Sequence, residues 1–430
     1  MFAIKIIIVT PKTTPRLQYV LDFVFREYFN VAFKLQKSVS EEFIGPIIYY
    51  SSDTYLNTES SLNIVPTGIL ENQNQKNTDY ILSLDQPIKI NKDSNRLNYD
   101  LFSDIFYCLT RIEEYEFVSN DPHNRFCANQ SQLTKLGLLE TPIIDQRMLE
   151  LGEIISHHYG IKLKRNKSYQ FIHTIDVDQF FAYRNKSLAR IIGGGIKNFS
   201  KEELESRLNF IKKKEDPFDT FDRLWEGLRT TEKYAFILNG NYGGYDLGSN
   251  LYNKNTNQTL QFISSKATIG IHPSIKSNSS IDTLKYELTQ LENLMDHPIK
   301  FSRQHFLKLE FPHTYQNLIS LGIEEDFSLG YHDCIGFRAG TSIPFFWYDL
   351  GNESITNLKI KPLHAMDVTL RKYMNLDPKE AIQRLTQIIN KCKQVKGSFC
   401  LLWHNSSFTD HHGWKGWDLV YKEALELAQS

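Results

Sequence analysis

Residues 171–178 read Phe-Ile-His-Thr-Ile-Asp-Val-Asp, an apolar run that closes on two carboxylates. In a strand, side chains alternate between faces, so Asp176 and Asp178 share one face at the open end of the run. Two adjacent carboxylates repel, and a divalent cation is the usual remedy. One could ligate the ion while the other, kept ionised, accepts a proton. Taken alone the pair is ambiguous, because Asp-x-Asp also marks transferases that hold sugar nucleotides.

Three further segments end in the same way. Residues 267–274 (Ala-Thr-Ile-Gly-Ile-His-Pro-Ser) deliver His272, with Pro273 turning the chain. Residues 301–308 (Phe-Ser-Arg-Gln-His-Phe-Leu-Lys) place Arg303 and His305 two residues apart and so on one face. Residues 398–404 (Ser-Phe-Cys-Leu-Leu-Trp-His) end in His404. Four strands bringing Asp-x-Asp, His, Arg-x-His and His to one rim are hard to explain as packing.

Candidate strands cover 169–175, 233–238, 267–271, 299–303, 334–337, 359–363 and 398–403. Helical segments at 201–213, 218–229, 281–295, 313–321 and 378–394 lie between some of them. This alternation predicts an α/β fold with a largely parallel sheet or barrel and chemistry at the C-terminal strand ends. The first 165 residues differ. They predict a strand over 4–9, helices over 14–36, 100–115 and 146–158, and loops with short strands over 51–79, a smaller α/β unit of no obvious chemistry. Its only conspicuous polar group, His123-Asn124-Arg125, reads as a turn. The expected domains are therefore 1–165 and 166–430. Gly193-Gly194-Gly195 has no following Lys-Ser or Lys-Thr and reads as a flexible connection.

The chain has 430 residues, 41% hydrophobic, 23% charged and 13% aromatic, with a net charge of −1. That is a globular composition, and it argues against a global nucleic-acid-binding field. Five cysteines without a C-x-x-C pair indicate neither a disulfide framework nor a cysteine zinc site. The apolar run at the N-terminus is too short for a signal segment, and nothing approaches the ~18 apolar residues of a membrane span. The chain reads as cytoplasmic.

The sequence I-D-V-D, then G-I-H-P-S, an arginine strand and L-L-W-H resembles the NodB-like polysaccharide deacetylases, carbohydrate esterase family 4. The whole chain is similar to a two-domain Bacteroidetes-type subgroup with an uncharacterised N-terminal domain. Residues 102–115 and 121–126 carry that likeness, together with S-R-Q-H-F-L (302–307) and G-F-R-A-G-T-S-I-P-F (336–345). The resemblance implies a distorted (β/α) barrel behind the smaller α/β domain, with one divalent metal, usually Zn2+. It implies Asp176 as catalytic base and Asp178 and His272 as ligands. The family's third ligand, a histidine four residues on, is Lys276 here. An ammonium cannot ligate. His305 is the leading replacement, followed by His173 and His332.

Arg303 would pair with Asp176, with Arg338 as competitor for that task or for substrate. His404 would be the general acid, oriented by Asp367, whose alternative is a helix N-cap. Trp403 is one of several aromatics that could stack on a sugar. The implied reaction removes an N-acetyl group from an amino sugar or polysaccharide precursor. Three alternatives stay open: a metal-dependent glycosyltransferase, a degenerate fold that binds a glycan or partner without catalysis, and a hydrolase of another C–N bond.

Overall fold

The computed structural model describes residues 5–39, 43–52, 61–71, 79–187, 191, 201–213, 215–230, 232–410 and 413–430. The triple glycine 193–195 lies outside them. Two sheets carry the fold. The first combines β1 (Lys5–Val9), β2 (Ala32–Gln36), β3 (Ile47–Tyr50), β4 (Leu62–Ile64), β5 (Ile90–Asn91) and β6 (Arg96–Leu97) in the order β2-β1-β3-β4-β6-β5. All its pairings are parallel except β5 with β6.

The predicted helix over 14–36 is only partly formed. Thr14 caps a helix at Pro15–Leu21, which continues as a π-helix over Asp22–Tyr28. Asn30, at φ 55°, then breaks it and β2 begins. Helices at Leu101–Thr110 and Ile143–Tyr159 follow.

The second sheet holds β7 (Gln170–Val177), β8 (Lys233–Ile237), β11 (Thr268–Ile271), β12 (Phe301–Ser302), β13 (Glu325–Asp326), β14 (Phe345–Asp349), β15 (Ser354–Ile360), β16 (Ala365–Met366) and β17 (Ser398–His404). A separate hairpin, β9 (Asn241–Gly243) and β10 (Asp246–Leu247), follows β8. The large sheet runs β14-β15-β13-β12-β11-β8-β7-β17-β16, parallel except for β14 with β15. Its outer strands, β14 and β16, do not pair with each other. Among the described residues, the expected distorted (β/α) barrel is a sheet whose outer strands stay unpaired with each other.

Parallel strands buried on both faces read as continuous apolar runs, and β17 is buried along its whole length. Alternate residues then enter two different cores. Ile172, Phe236, Phe327, Cys400 and Leu402 cluster on one side of the sheet. Ile175, Val177, Leu401 and Trp403 join the main core, which extends without interruption to Ile6 and Ile8 of the first sheet.

Two expected elements are missing. No strand forms at 334–337, because Gly336 and Phe337 donate their backbone N–H groups to His364 and Leu139 instead of to a sheet neighbour. Gly336 sits at φ 139°, where a Cβ would meet the Leu139 carbonyl oxygen at 2.5 Å, so only glycine permits this close pass. The helix expected over 218–229 shrinks to a 3-10 turn at Arg223–Trp225. Conversely, the β14–β15 hairpin and the two-residue β13 were not foreseen.

Candidate functional site

Register brings the functional side chains together. His404 pairs with Asp176 across β17 and β7, while β11 and β12 end immediately before His272 and Arg303. Because these strands are parallel, their C-terminal ends open on one edge. There Asp176, Asp178, His272, His305 and His404 line a cavity of about 270 Å³.

Arg303 is fully buried and holds Asp176 in place. Its Nη1 donates to Asp176 Oδ1 at 3.0 Å and to Thr174 Oγ1 at 2.7 Å, and its Nε to the Phe327 carbonyl at 3.0 Å. The guanidinium also lies 4.7 Å from the Phe236 ring centre. Asp176 Oδ2 is left facing His272 Nε2 at 3.6 Å.

Asp178, His272 and His305 converge, with ligand-type atoms all within 4.8 Å of one another. His272 Nε2 lies 3.3 Å and His305 Nε2 3.9 Å from Asp178 Oδ1. The far ring nitrogens have their own acceptors. His272 Nδ1 lies 2.6 Å from the Arg303 carbonyl, and His305 Nδ1 3.3 Å from Asp246 Oδ1. A carbonyl or carboxylate can only accept, so in the neutral rings the proton sits on Nδ1 and the Nε2 lone pair points inward. Asp178 Oδ1 is itself buried without a hydrogen-bond donor. Three lone-pair atoms aimed at one point fit a divalent cation, and two histidines with one carboxylate form a common zinc donor set.

When the rings are protonated instead, they and the carboxylates stabilise one another. Burial disfavours the charged forms, but His272, His305 and His404 together hold the Asp178 carboxyl below its ordinary range. For His272, burial opposes protonation, while Asp176 and Asp178 raise its pKa.

His404 and Asp367 form a second pair. His404 Nδ1 lies 2.7 Å from Asp367 Oδ1, and the His404 backbone N–H donates to Asp367 Oδ2 at 2.9 Å. Burial would lower the imidazole pKa. The charge and hydrogen bond of Asp367, helped by Asp178 and Asp176, raise it to about 9. Asp367 also accepts from the adjacent Val368 N–H at 2.7 Å, but the helical turn that follows has no side-chain cap, so the helix-cap alternative is not formed.

Several expected residues lie elsewhere. Lys276 directs its ammonium over the Tyr242 ring, 4.4 Å from its centre, and does not line the cavity. His173 is buried against Tyr421, its Nε2 2.7 Å from the hydroxyl. His332 reaches the cavity wall, but it faces Asp121 at 3.5 Å rather than the triad.

Arg338 does not line the cavity. It is buried, donating from Nε to Glu114 at 2.9 Å, closing a second bond to the same carboxylate, and reaching the Gly330 carbonyl at 2.8 Å. Trp403 is likewise unavailable for stacking. Alternation along β17 turns it away from His404 into the core beside Phe408, Trp417 and Tyr421. The pair His411-His412, read as an improbable second metal site, lies outside the described residues.

The sequence reading missed Asp246, Arg125, Phe306, Lys372 and Tyr373. Arg125 comes from the segment read as a turn, yet it lines the cavity. It grips Asp121 with Nε at 2.9 Å and Nη2 at 2.8 Å, and donates from Nη1 to the Phe306 carbonyl at 3.1 Å. A second group of possible ligands, Asp121, Cys127 and His332, surrounds this arginine. The guanidinium already neutralises Asp121, which leaves that group without the charge to hold a cation. The one usable signal was the cluster of ionisable residues in Asp121-Pro-His-Asn-Arg-Phe126.

Among known proteins, residues 6–160 match a family of unknown function, DUF7033. No curated protein matches the chain. Among solved structures, the chain is similar to the "putative polysaccharide deacetylase from Mycobacterium smegmatis", at 14% identity and a TM-score of 0.38, over 63% of this chain and 87% of that one.

Proposed function

We propose that this chain is a metal-dependent hydrolase that removes the N-acetyl group from an amino sugar. The reading is carried by one observation: Asp178, His272 and His305 converge beside an arginine-held carboxylate and a carboxylate-held imidazole. Asp178, His272 and His305 would hold the ion. When bound, such an ion polarises the amide carbonyl and acidifies water.

The chain's own groups supply the proton transfers. Asp176, fixed through Oδ1 by Arg303, presents Oδ2 toward the triad and takes the proton of the attacking water. His404, kept protonated by Asp367, gives a proton to the amine nitrogen as the C–N bond breaks. Without that proton the amine is too basic to leave. The products are acetate and the free amino sugar.

The cavity, at about 270 Å³, lies just below the ~300–1,000 Å³ usual for small-molecule sites, which favours one sugar unit over a run of them. Phe306, Met366, Val368 and Leu402 give it apolar walls.

The test is elemental analysis of chelator-free protein beside Asp178→Ala, His272→Ala and His305→Ala, with acetate release from N-acetylglucosamine derivatives. About one divalent ion per chain in the wild type, lost in the variants, together with acetate release, supports the reading. Folded wild type that takes up no ion after reloading refutes it and favours a binding protein.

A further inference from the structure

We propose that Asp246 is a positioning residue for His305, fixing which ring nitrogen faces the site and tying that ligand to the segment that carries His272. This rests on the metal triad proposed above. Asp246 lies on β10, outside the large sheet, and is buried. Its Oδ1 lies 3.3 Å from His305 Nδ1 and accepts the Ile275 N–H at 2.9 Å, while Oδ2 accepts the Lys276 N–H at 3.1 Å. One carboxylate thus touches both the histidine ring and the short helical turn, Ile275–Asn278, that begins three residues beyond His272.

His305 needs such support more than the other two. Asp178 directly follows a long strand and His272 a strand fixed on both sides, but His305 opens a turn. The next two residues, Phe306 and Leu307, have φ of 61° and 54°, left-handed values that side chains other than glycine adopt at a cost. No regular element sets the ring's orientation, so its side-chain contacts must. A carboxylate on Nδ1 selects the tautomer whose lone pair is on Nε2. The same contact bears on Lys276. Its N–H is committed to Asp246, and its ammonium rests over Tyr242 of the same hairpin. The hairpin carboxylate therefore stabilises a helical turn in which position 276 gives no ligand, and it orients the residue that does.

The experiment measures Zn2+ affinity of the full chain by competition with a chromophoric chelator, for wild type, Asp246→Asn, His305→Ala and the double variant. Asparagine keeps the shape but offers a single acceptor oxygen, so at least one of the three contacts becomes a clash of donors. Loss of a residue supporting a ligand in this way typically costs ~10–100-fold in affinity. The expected result is that loss for Asp246→Asn in the native background, and less than about 2-fold when His305 is already alanine, because the effect then has no route. Equal losses in both backgrounds would mean that Asp246 acts only through the Ile275 and Lys276 N–H groups, which overturns the proposal. Unchanged affinity in a folded Asp246→Asn protein also overturns it, while leaving the triad intact. Wild type that binds no zinc removes both readings. If Asp246→Asn does not fold, the Nδ1 proton of His305 in zinc-loaded wild type decides by NMR. Slow solvent exchange and a downfield position support the carboxylate contact, and rapid exchange rejects it.

Discussion

Replacing Asp367 with asparagine should move a proton rather than a backbone. The amide side chain keeps the size of the native one and an oxygen for the His404 N–H, but loses the charge 2.7 Å from His404 Nδ1. In the native chain that charge helps lift the imidazole from its ordinary 6.5 to about 9 against the opposing effect of burial. A rise of that size favours the charged ring by about 3 kcal/mol. At pH 8 the native ring is then about ten parts protonated to one neutral. Asp178 and Asp176 still oppose burial in the variant, so its pKa falls toward the ordinary 6.5, at which about one ring in thirty carries the proton.

If protonated His404 supplies the leaving amine, acetate release at pH 8 should fall by up to about 30-fold, and the alkaline limb of the rate profile should move to lower pH. Stability gives a second readout. A pKa raised on folding contributes stabilisation that is complete below about 6.5 and lost as pH rises through about 9. Urea unfolding of chelator-treated protein should therefore separate wild type from Asp367→Asn by as much as ~3 kcal/mol at pH 6, and the gap should close by about pH 9.5. A gap that persists unchanged at pH 9.5, with an unmoved alkaline limb, would refute the assignment.

Arg303→Met leaves the Asp176 carboxylate buried without its cation, and a broken buried pair typically costs about 3–5 kcal/mol, readable by thermal or urea unfolding of metal-free protein. A cost under about 1 kcal/mol would mean that Asp176 is protonated or otherwise paired. Trp403→Ala should destabilise by about 3–5 kcal/mol while leaving KM of the folded fraction unchanged, since the indole packs in the core. A selective rise in KM would put it back in contact with substrate. Lys276→Ala should keep the full metal content by elemental analysis, because the ammonium rests on Tyr242. Metal loss in that variant would contradict the placement of the third ligand.

What the sequence revealed follows from periodicity. Asp176, Asp178, His272 and His404 end, or directly follow, apolar runs in strands, where alternation fixes the facing side and parallel pairing fixes the common edge. His305 was legible only as Arg303 plus two, although the chain there turns rather than continuing as strand. Asp246 was not legible, since it lies on a two-residue strand and the histidine it meets, His305, is 59 positions away. Arg338 misled for a related reason. An arginine between glycines looks like an exposed site loop, whereas its acid, Glu114, lies in the other half of the sequence. The segment around it has no periodicity, because its backbone bonds to Leu139 and His364. The large sheet was expected as a distorted (β/α) barrel, but whether its edge strands β14 and β16 pair is a property of three dimensions that no local pattern encodes.

Glu114 is bonded by Arg111 from its own segment and by Arg338 from the far one, all three out of contact with water. Such an arrangement makes the two halves of the gene poor candidates for exchange. A C-terminal half transplanted onto a foreign N-terminal half would bring a guanidinium with no acid to meet it, and the reverse exchange would leave Glu114 and Arg111 without the second guanidinium. Insertion, deletion and recombination are tolerated where the halves of a protein meet through water or grease. Here a buried charge cluster joins them alongside a continuous apolar core, so a substitution at Glu114 or Arg338 is felt in both halves.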